Sequence, residues 1–423
     1  MRPCRALGRA ATRRRDSSPN TSPATGSRST TLQATSSRRS RARRRRASTP
    51  TSVTAITAQS PTSWTATCPS RRCTRASSST ACGATSPGRR TRTSSSTSVP
   101  TRSRSVEFVP GLIVIMIDGV SADTFATRRG RLPTMAALAD RGLVVERLKA
   151  EVPGTSLPGR ASILTGAPAS ANGVYGNRLW DAQQGAFRYA SPYDVRLDTV
   201  PRLAREAGVR TASIGMGMVR PEDVDIFAHP WWVGAFVQRA RDAKPEPLEN
   251  GWENVAGHLD PSGALASAAA SAGVPDTYDA VDLRDERVAS MIGFLGDRRV
   301  AEWVGSLAAR DDGPNLIVTE FLMTDTVQHR SGYDTALAQW TTSVMDGLVA
   351  DIVARLRTAG REDAYDLMIL SDHGHGPVEQ ALRPDVLLPN DTFISEGGIL
   401  HVVARDEATR DRVGRVLAEH AVT

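Results

Sequence analysis

The chain has only four cysteines among its 423 residues, and Cys4, Cys68, Cys73 and Cys82 all lie in the first 105. From Val106 onward there is none, which excludes disulfides and thiolate metal ligands there. Cys68 and Cys73 do not have a zinc-type spacing and no histidine is nearby. Residues 1–105 also lack lysine and hold one acid, Asp16, against 22 arginines, so this part is +21 and the remainder −13. No run reaches the roughly 20 apolar residues of a membrane-spanning helix, and "MRPCRALGRAATRRRD" lacks the apolar centre of a secretory signal. The expectation is a chain with no transmembrane segment. It is cytoplasmic on the absence of a signal, or secreted or periplasmic if the true start lies elsewhere.

The first 105 residues are mostly Ser, Thr, Arg, Ala and Pro without apolar periodicity. Such a segment cannot bury enough apolar surface to offset its ordering entropy, so it reads as a disordered tail. "RRSRARRRR", residues 38–46, would attract a phosphate backbone or an anionic membrane. A solvated tail without a role and a misread frame of GC-rich DNA are the other readings.

Order begins near Val106, and residues 106–423 read as one folded domain. "GLIVIMID" (111–118) is an unbroken apolar run of the kind found in strands buried on both faces. "PTMAALADR" (133–141) reads as a helix stopped by Gly142, "LVVERLKAEV" (143–152) as a strand, "DTVPRLAREAG" (198–208) as a helix and "VRTASIGM" (209–216) as a strand. "NLIVTEFLMTD" (315–325) is a buried strand, 333–360 a long amphipathic helix and "YDLMILSDHGHG" (365–376) another strand. A further helix spans 406–420, and residues 217–290 read as an insertion or cap. The alternation predicts an α/β/α sandwich with a mostly parallel central sheet.

Three of these strands end in an aspartate, Asp118, Asp325 and Asp372, and two have a histidine close by, His329 and His373. Ligand crevices in open α/β sheets lie beyond the carboxyl ends of strands, so the three can converge. Carboxylate with imidazole suits zinc or another first-row divalent cation. Singly, each has a plainer reading as a cap, turn or surface residue.

The segments "LIVIMIDGVSADTF", "GTSLPGRASILTGAPASANGVYGN", "TDTVQHRSG" and "SDHGHG", in this order, resemble the alkaline phosphatase superfamily, and within it the type I phosphodiesterase and nucleotide pyrophosphatase branch. The resemblance runs over residues 111–403. It implies two adjacent divalent metals, zinc or else manganese or magnesium. One would sit on Asp118, Asp372, His373 and the nucleophile oxygen. The other would sit on Asp325, His329 and a histidine near the domain's end, for which His401 is preferred over His375 and His420. The branch's nucleophile is usually a threonine two positions before a proline. Pro158 places that position at Ser156, with Thr155 the adjacent candidate. Asn177 matches an asparagine that contacts a phosphate oxygen, and Arg160, one turn past Ser156, could meet a phosphate. Relatives often continue further, so the chain reads as C-terminally incomplete.

The implied activity is hydrolysis of phosphodiester or nucleotide pyrophosphate bonds through a covalent intermediate on Ser156, with free N–H groups of the helix behind it facing the anion. The substrate would be a small phosphoester or nucleotide. A phosphonate hydrolase, a phosphomonoesterase and a sulfatase are alternatives on the same fold, the last because "SLPGR" partly mimics a sulfatase nucleophile motif. A non-catalytic nucleic-acid-binding protein acting through the basic tail is the alternative of another class.

Overall fold

Residues Gly111–Ile117 form strand β2, and its side chains divide between two apolar layers. Ile113, Ile115 and Ile117 enter one core, while Met116, with Leu112 and Val114, enters the other. The two-residue side-chain period of a strand produces this division, and burial on both faces explains the unbroken apolar run. The computed structural model describes residues 53–56, 110–242, 251–255, 257–267 and 286–420.

Strand β2 lies second from one edge of a six-stranded sheet with β5 (Thr211–Ile214), β6 (Ile226–Ala228), β7 (His258–Leu259), β8 (Leu316–Phe321) and β9 (Tyr365–Leu370). The order is β7-β6-β5-β8-β2-β9, parallel throughout except for β7 against β6. Strands distant in sequence, β8 and β9, thus flank β2, and the turns leaving all three open at one edge.

One helical layer contains α2 (Pro133–Arg141), α7 (Glu286–Ala308), α8 (Met323–Ser331) and α9 (Ala336–Thr358). Helix α9 turns Met345, Leu348, Val349, Ile352, Val353 and Leu356 inward at helical spacing. On the opposite face α3 (Ser156–Thr165) and α6 (Val233–Arg241) contribute Leu157, Ala161, Leu164, Val233 and Val237. This is an α/β/α sandwich around a mostly parallel sheet. Among the described residues no helix is long and apolar enough to cross a membrane.

Two helices are capped by carboxylates from other helices. Asp346 of α9 accepts the Thr134 and Met135 N–H groups that start α2, at 3.1 and 2.8 Å. Asp297 of α7 accepts Leu322 N and Met323 N at the start of α8, and Trp231 Nε1 as well. These carboxylates satisfy N–H groups that a helix cannot satisfy itself.

The structure departs from the sequence reading in four places. Residues 143–152 pair with no other strand among the described residues, and Leu143, Val145 and Leu148 are exposed. Apolar side chains fall on both faces of this segment, Leu143 and Val145 on one and Val144, Leu148 and Val152 on the other, so no single face calls for burial. Asp325 is not at a strand end but in the first turn of α8, which puts His329 one turn on along the same helix. The described part of 217–290 is not a separate cap: β6 belongs to the sheet, and Val219, Val224, Trp232 and Trp252 are buried. Residues 243–250, 256 and 268–285 lie outside the described residues. Within the stretch read as a disordered tail, Val53–Ile56 form strand β1, antiparallel to β11 (Leu400–Val403), which also pairs with β10 (Phe393–Ser395). "VTAI" holds two of the few branched aliphatic residues in that tail, and the cysteines and the arginine run lie outside the described residues.

Candidate active site and metal centre

Helix α3 begins at Ser156, whose Oγ lies 3.0 Å from His373 Nε2. The close approach needs Gly159, because a Cβ there would stand 2.9 Å from Asp372 Cβ. Gly119, in the turn after β2, has φ +73°, and a Cβ there would lie 2.9 Å from His375 Nε2 and 3.2 Å from Asp325 Cα. Both positions therefore exclude a side chain, Gly119 on conformation as well. Ser371 fastens the β9 turn to the β2 turn, its Oγ accepting Val120 N and donating to the His373 carbonyl. Thr324 Oγ1 and Gln328 Nε2 of α8 donate to the carbonyls of Asp118 and Gly119.

Around Ser156 the ligand atoms of Asp118, Asp372 and His373 lie within 4.8 Å of one another, as do those of Asp325, His373 and His375. His373 Nε2 is 3.4 Å from Asp118, 3.8 Å from Asp372 and 4.0 Å from Asp325. His375 Nε2 is 2.9 Å from Asp325 Oδ1, and His329 Nε2, more exposed, is 3.3 Å from the same oxygen. Asp118 Oδ1 and Asp372 Oδ2 are buried without a hydrogen-bond partner. Burial first, then Asp372 and Asp325 nearby, hold the Asp118 carboxyl well above the usual range, with Arg160 opposing. Burial also acts to raise Asp325, but hydrogen bonds from His329 and His375 outweigh it and hold the carboxyl below the usual range. The Asp325 hydrogen bond in turn pushes His329 up. Crowded acids with orphaned inward oxygens and imidazoles beside them are a donor set that fits divalent cations.

The sequence-predicted residues fall into three groups. Asp118, Ser156, Asp325, Asp372 and His373 converge, with His329 at the outer edge. Asn177 is adjacent: its Oδ1 accepts Leu157 N at 2.8 Å, leaving its amide N–H groups for another partner. That bond, together with Pro158, removes two of the helix N–H groups expected to face an anion. His401, Arg160 and Thr155 are not placed as expected. His401 lies on β11, fully buried and edge-on to Tyr175, 3.7 Å from Glu396, because the small antiparallel sheet turns it away from the cluster. His375 takes the place beside Asp325 instead. Arg160 is 1% exposed and reaches Asp118, not open space, because position 160 falls on the buried face of α3. Thr155 Oγ1 is buried and unbonded, whereas Ser156 Oγ meets His373.

Glu320, Asp297 and Glu396 were not singled out by sequence for the site. Glu320 had a legible signal, a lone acid within the dry strand "LIVTEF". Glu396 accepts Asn177 N and steadies the loop carrying that residue.

Residues 112–422 match the family model for type I phosphodiesterase / nucleotide pyrophosphatase. Over 92 residues, 22% of this chain and 17% of the other, it is 40% identical to human N-sulphoglucosamine sulphohydrolase, so it spans about a sixth of that relative's length. Murine ectonucleotide pyrophosphatase/phosphodiesterase 5, solved as an inactive variant with AMP, is similar at TM-score 0.48 and 16% identity, over 74% of this chain and 70% of that one. The human form gives 0.49 and 15% over the same shares. Phosphonoacetate hydrolase from Sinorhizobium meliloti, with phosphonoacetate bound, gives 0.43 and 21% over 65% of this chain and 58% of that one.

Proposed function

Because the chain belongs to the type I phosphodiesterase / nucleotide pyrophosphatase family, we propose that it hydrolyses phosphoric esters at the edge of the sheet by attack of Ser156 on phosphorus. The observation that carries this reading is the Ser156 hydroxyl, 3.0 Å from His373 Nε2, amid converging carboxylates and imidazoles. Asp118, Asp372 and His373 would hold one divalent cation. Asp325 and His375, with His329 at the rim, would hold a second. When bound, such cations supply Lewis acidity toward the phosphoryl oxygens and offset the charge of a phosphate beside three aspartates.

The chain's own groups do the rest. Ser156 Oγ forms the new bond to phosphorus as the ester oxygen leaves with its electron pair; the hydroxyl proton is released to solvent, and the leaving oxygen takes one up from it. Hydrolysis of the serine phosphoester then regenerates the hydroxyl. The bond from Leu157 N to Asn177 Oδ1 holds the amide of Asn177 beside the helix start, where its N–H groups can donate to a non-bridging oxygen. The substrate class is a small phosphodiester or nucleotide pyrophosphate, and zinc is the first cation to test.

Purified full-length protein with Zn²⁺ should hydrolyse bis-p-nitrophenyl phosphate, lose that activity to a chelator and regain it with metal. Ser156→Ala should lower kcat at least about a thousandfold without changing the fold. Full activity in that variant would remove Ser156 as nucleophile. A panel containing a phosphonate, a monoester and a sulfate ester separates the reactions open to the same fold.

A further inference from the structure

Asp118 and Asp372 each have one oxygen hydrogen-bonded and one without a hydrogen bond. Asp118 Oδ2 accepts Arg160 Nη2 at 2.5 Å, and Oδ1 accepts no hydrogen bond, with His373 Nε2 3.4 Å away. Asp372 Oδ1 accepts Gly119 N and His373 N, and Oδ2 is unbonded, with Arg160 Nη1 3.7 Å away. Arg160 is fixed on its other side, where Nε donates to Glu320 Oε2 at 2.6 Å. Glu320 is in turn held by Trp232 Nε1 at 2.7 Å and Gly217 N at 3.1 Å. The guanidinium carbon lies 5.7 Å from the Trp232 ring, and a Cβ on Gly217 would crowd both side chains. The network is buried and links α3, β2, β8 and the turn after β5.

We propose that Arg160, locked by Glu320, is the positioning residue that restricts Asp118 to one ligand oxygen and offsets part of the carboxylate charge beneath the cation pair. It thereby sets how tightly the buried cation site binds. The inference rests on the reading that a divalent cation sits among Asp118, Asp372 and His373. A guanidinium suits the task because its planar fork reaches Glu320 and Asp118 through different nitrogens at once. An ammonium is a single point charge and cannot span both. A buried ion pair alone seldom stabilises more than apolar packing does, so fold stability is a weak reason for this network. Loss of the fork frees Asp118 to turn. Loss of the Glu320 charge leaves an uncompensated cation beside the metal position. Both weaken metal binding.

The test compares wild type, Arg160→Lys and Glu320→Gln as full chains. It uses calorimetric Zn²⁺ titration, thermal melts with and without Zn²⁺, and steady-state hydrolysis of bis-p-nitrophenyl phosphate. Metal-free variants should melt cooperatively, bind Zn²⁺ at the tighter site at least about tenfold more weakly and lose most of the rise in Tm that Zn²⁺ gives wild type. Their kcat should fall more than KM changes. A folded Arg160→Lys protein with wild-type Zn²⁺ affinity and the wild-type rise in Tm overturns the inference. So does an equal loss of Tm with and without metal, or failure of both variants to fold, since either assigns the network to stability alone. Wild type that takes up no divalent cation defeats the metal reading itself, and the inference with it.

Discussion

The two halves of the candidate centre are built differently. Around Asp118 and Asp372 both carboxylates are buried, follow strand ends and are held from below by Arg160. Around Asp325 the support is a single helix and two imidazoles, and His329 is two-thirds exposed. The first half holds its acid against ionisation by burial and like charge, whereas the second ionises its acid through histidine partners. In the proposed reaction the closed half would set the geometry for a cation, and the open half would admit substrate and water.

Breaking the closed half should have the largest effect. Asp118→Asn removes the only ligand oxygen that Arg160 leaves free and should cut diester hydrolysis at least about a thousandfold, measured with saturating Zn²⁺. The open half should respond in graded fashion. His375→Ala should weaken binding of the second cation by about ten- to a hundredfold, His329→Ala should do less, and His401→Ala should leave Zn²⁺ stoichiometry unchanged. A titration in which His401→Ala loses a cation and His375→Ala does not would restore the sequence expectation.

Asp297 tests the supports of the open half through pH. Burial pushes its carboxyl up to about 7 despite three N–H donors. An acid raised in the folded state contributes stability that is fully present below its unfolded value and is lost as pH rises to the folded one. Folding stability should therefore fall between about pH 4 and pH 7 and level off above. Asp297→Asn should flatten that slope, as read from denaturant midpoints across the range. An equal slope in both proteins would remove Asp297 as its source.

Thr155→Ala should do least. Its hydroxyl is buried and unpaired, so removing it is neutral or slightly stabilising, and kcat should stay within about threefold. A collapse of activity there, with Ser156→Ala still active, would exchange the roles of the two hydroxyls.

Much of this centre was legible in sequence because its signals are local. A dry strand followed by an acid, a helix stop at glycine and "SDHGHG" after an apolar run each depend on neighbours in the chain. Asp118, Asp325, Asp372, His373 and Ser156 could be named that way, as could the parallel sheet. The strand expected over 143–152 failed because strand formation requires a partner, and the sequence of one segment does not contain it. Arg160 was expected to meet a phosphate, and its place under the carboxylates was not legible because a helix's buried face is set by what packs on it.

By itself, the sequence determined which acids, imidazoles and hydroxyls were available to a site and the order in which the elements bearing them occur. Periodicity and ligand type are written residue by residue. Tertiary structure decided that β8 and β9 flank β2, that His375 and not His401 stands beside Asp325, and that Arg160 lies under the carboxylates. The physical reason is that those outcomes are set by pairings between residues far apart in the chain, such as Gly119 and Asp372, 253 positions apart. Their energies depend on burial and mutual distance, which exist only once the chain has folded.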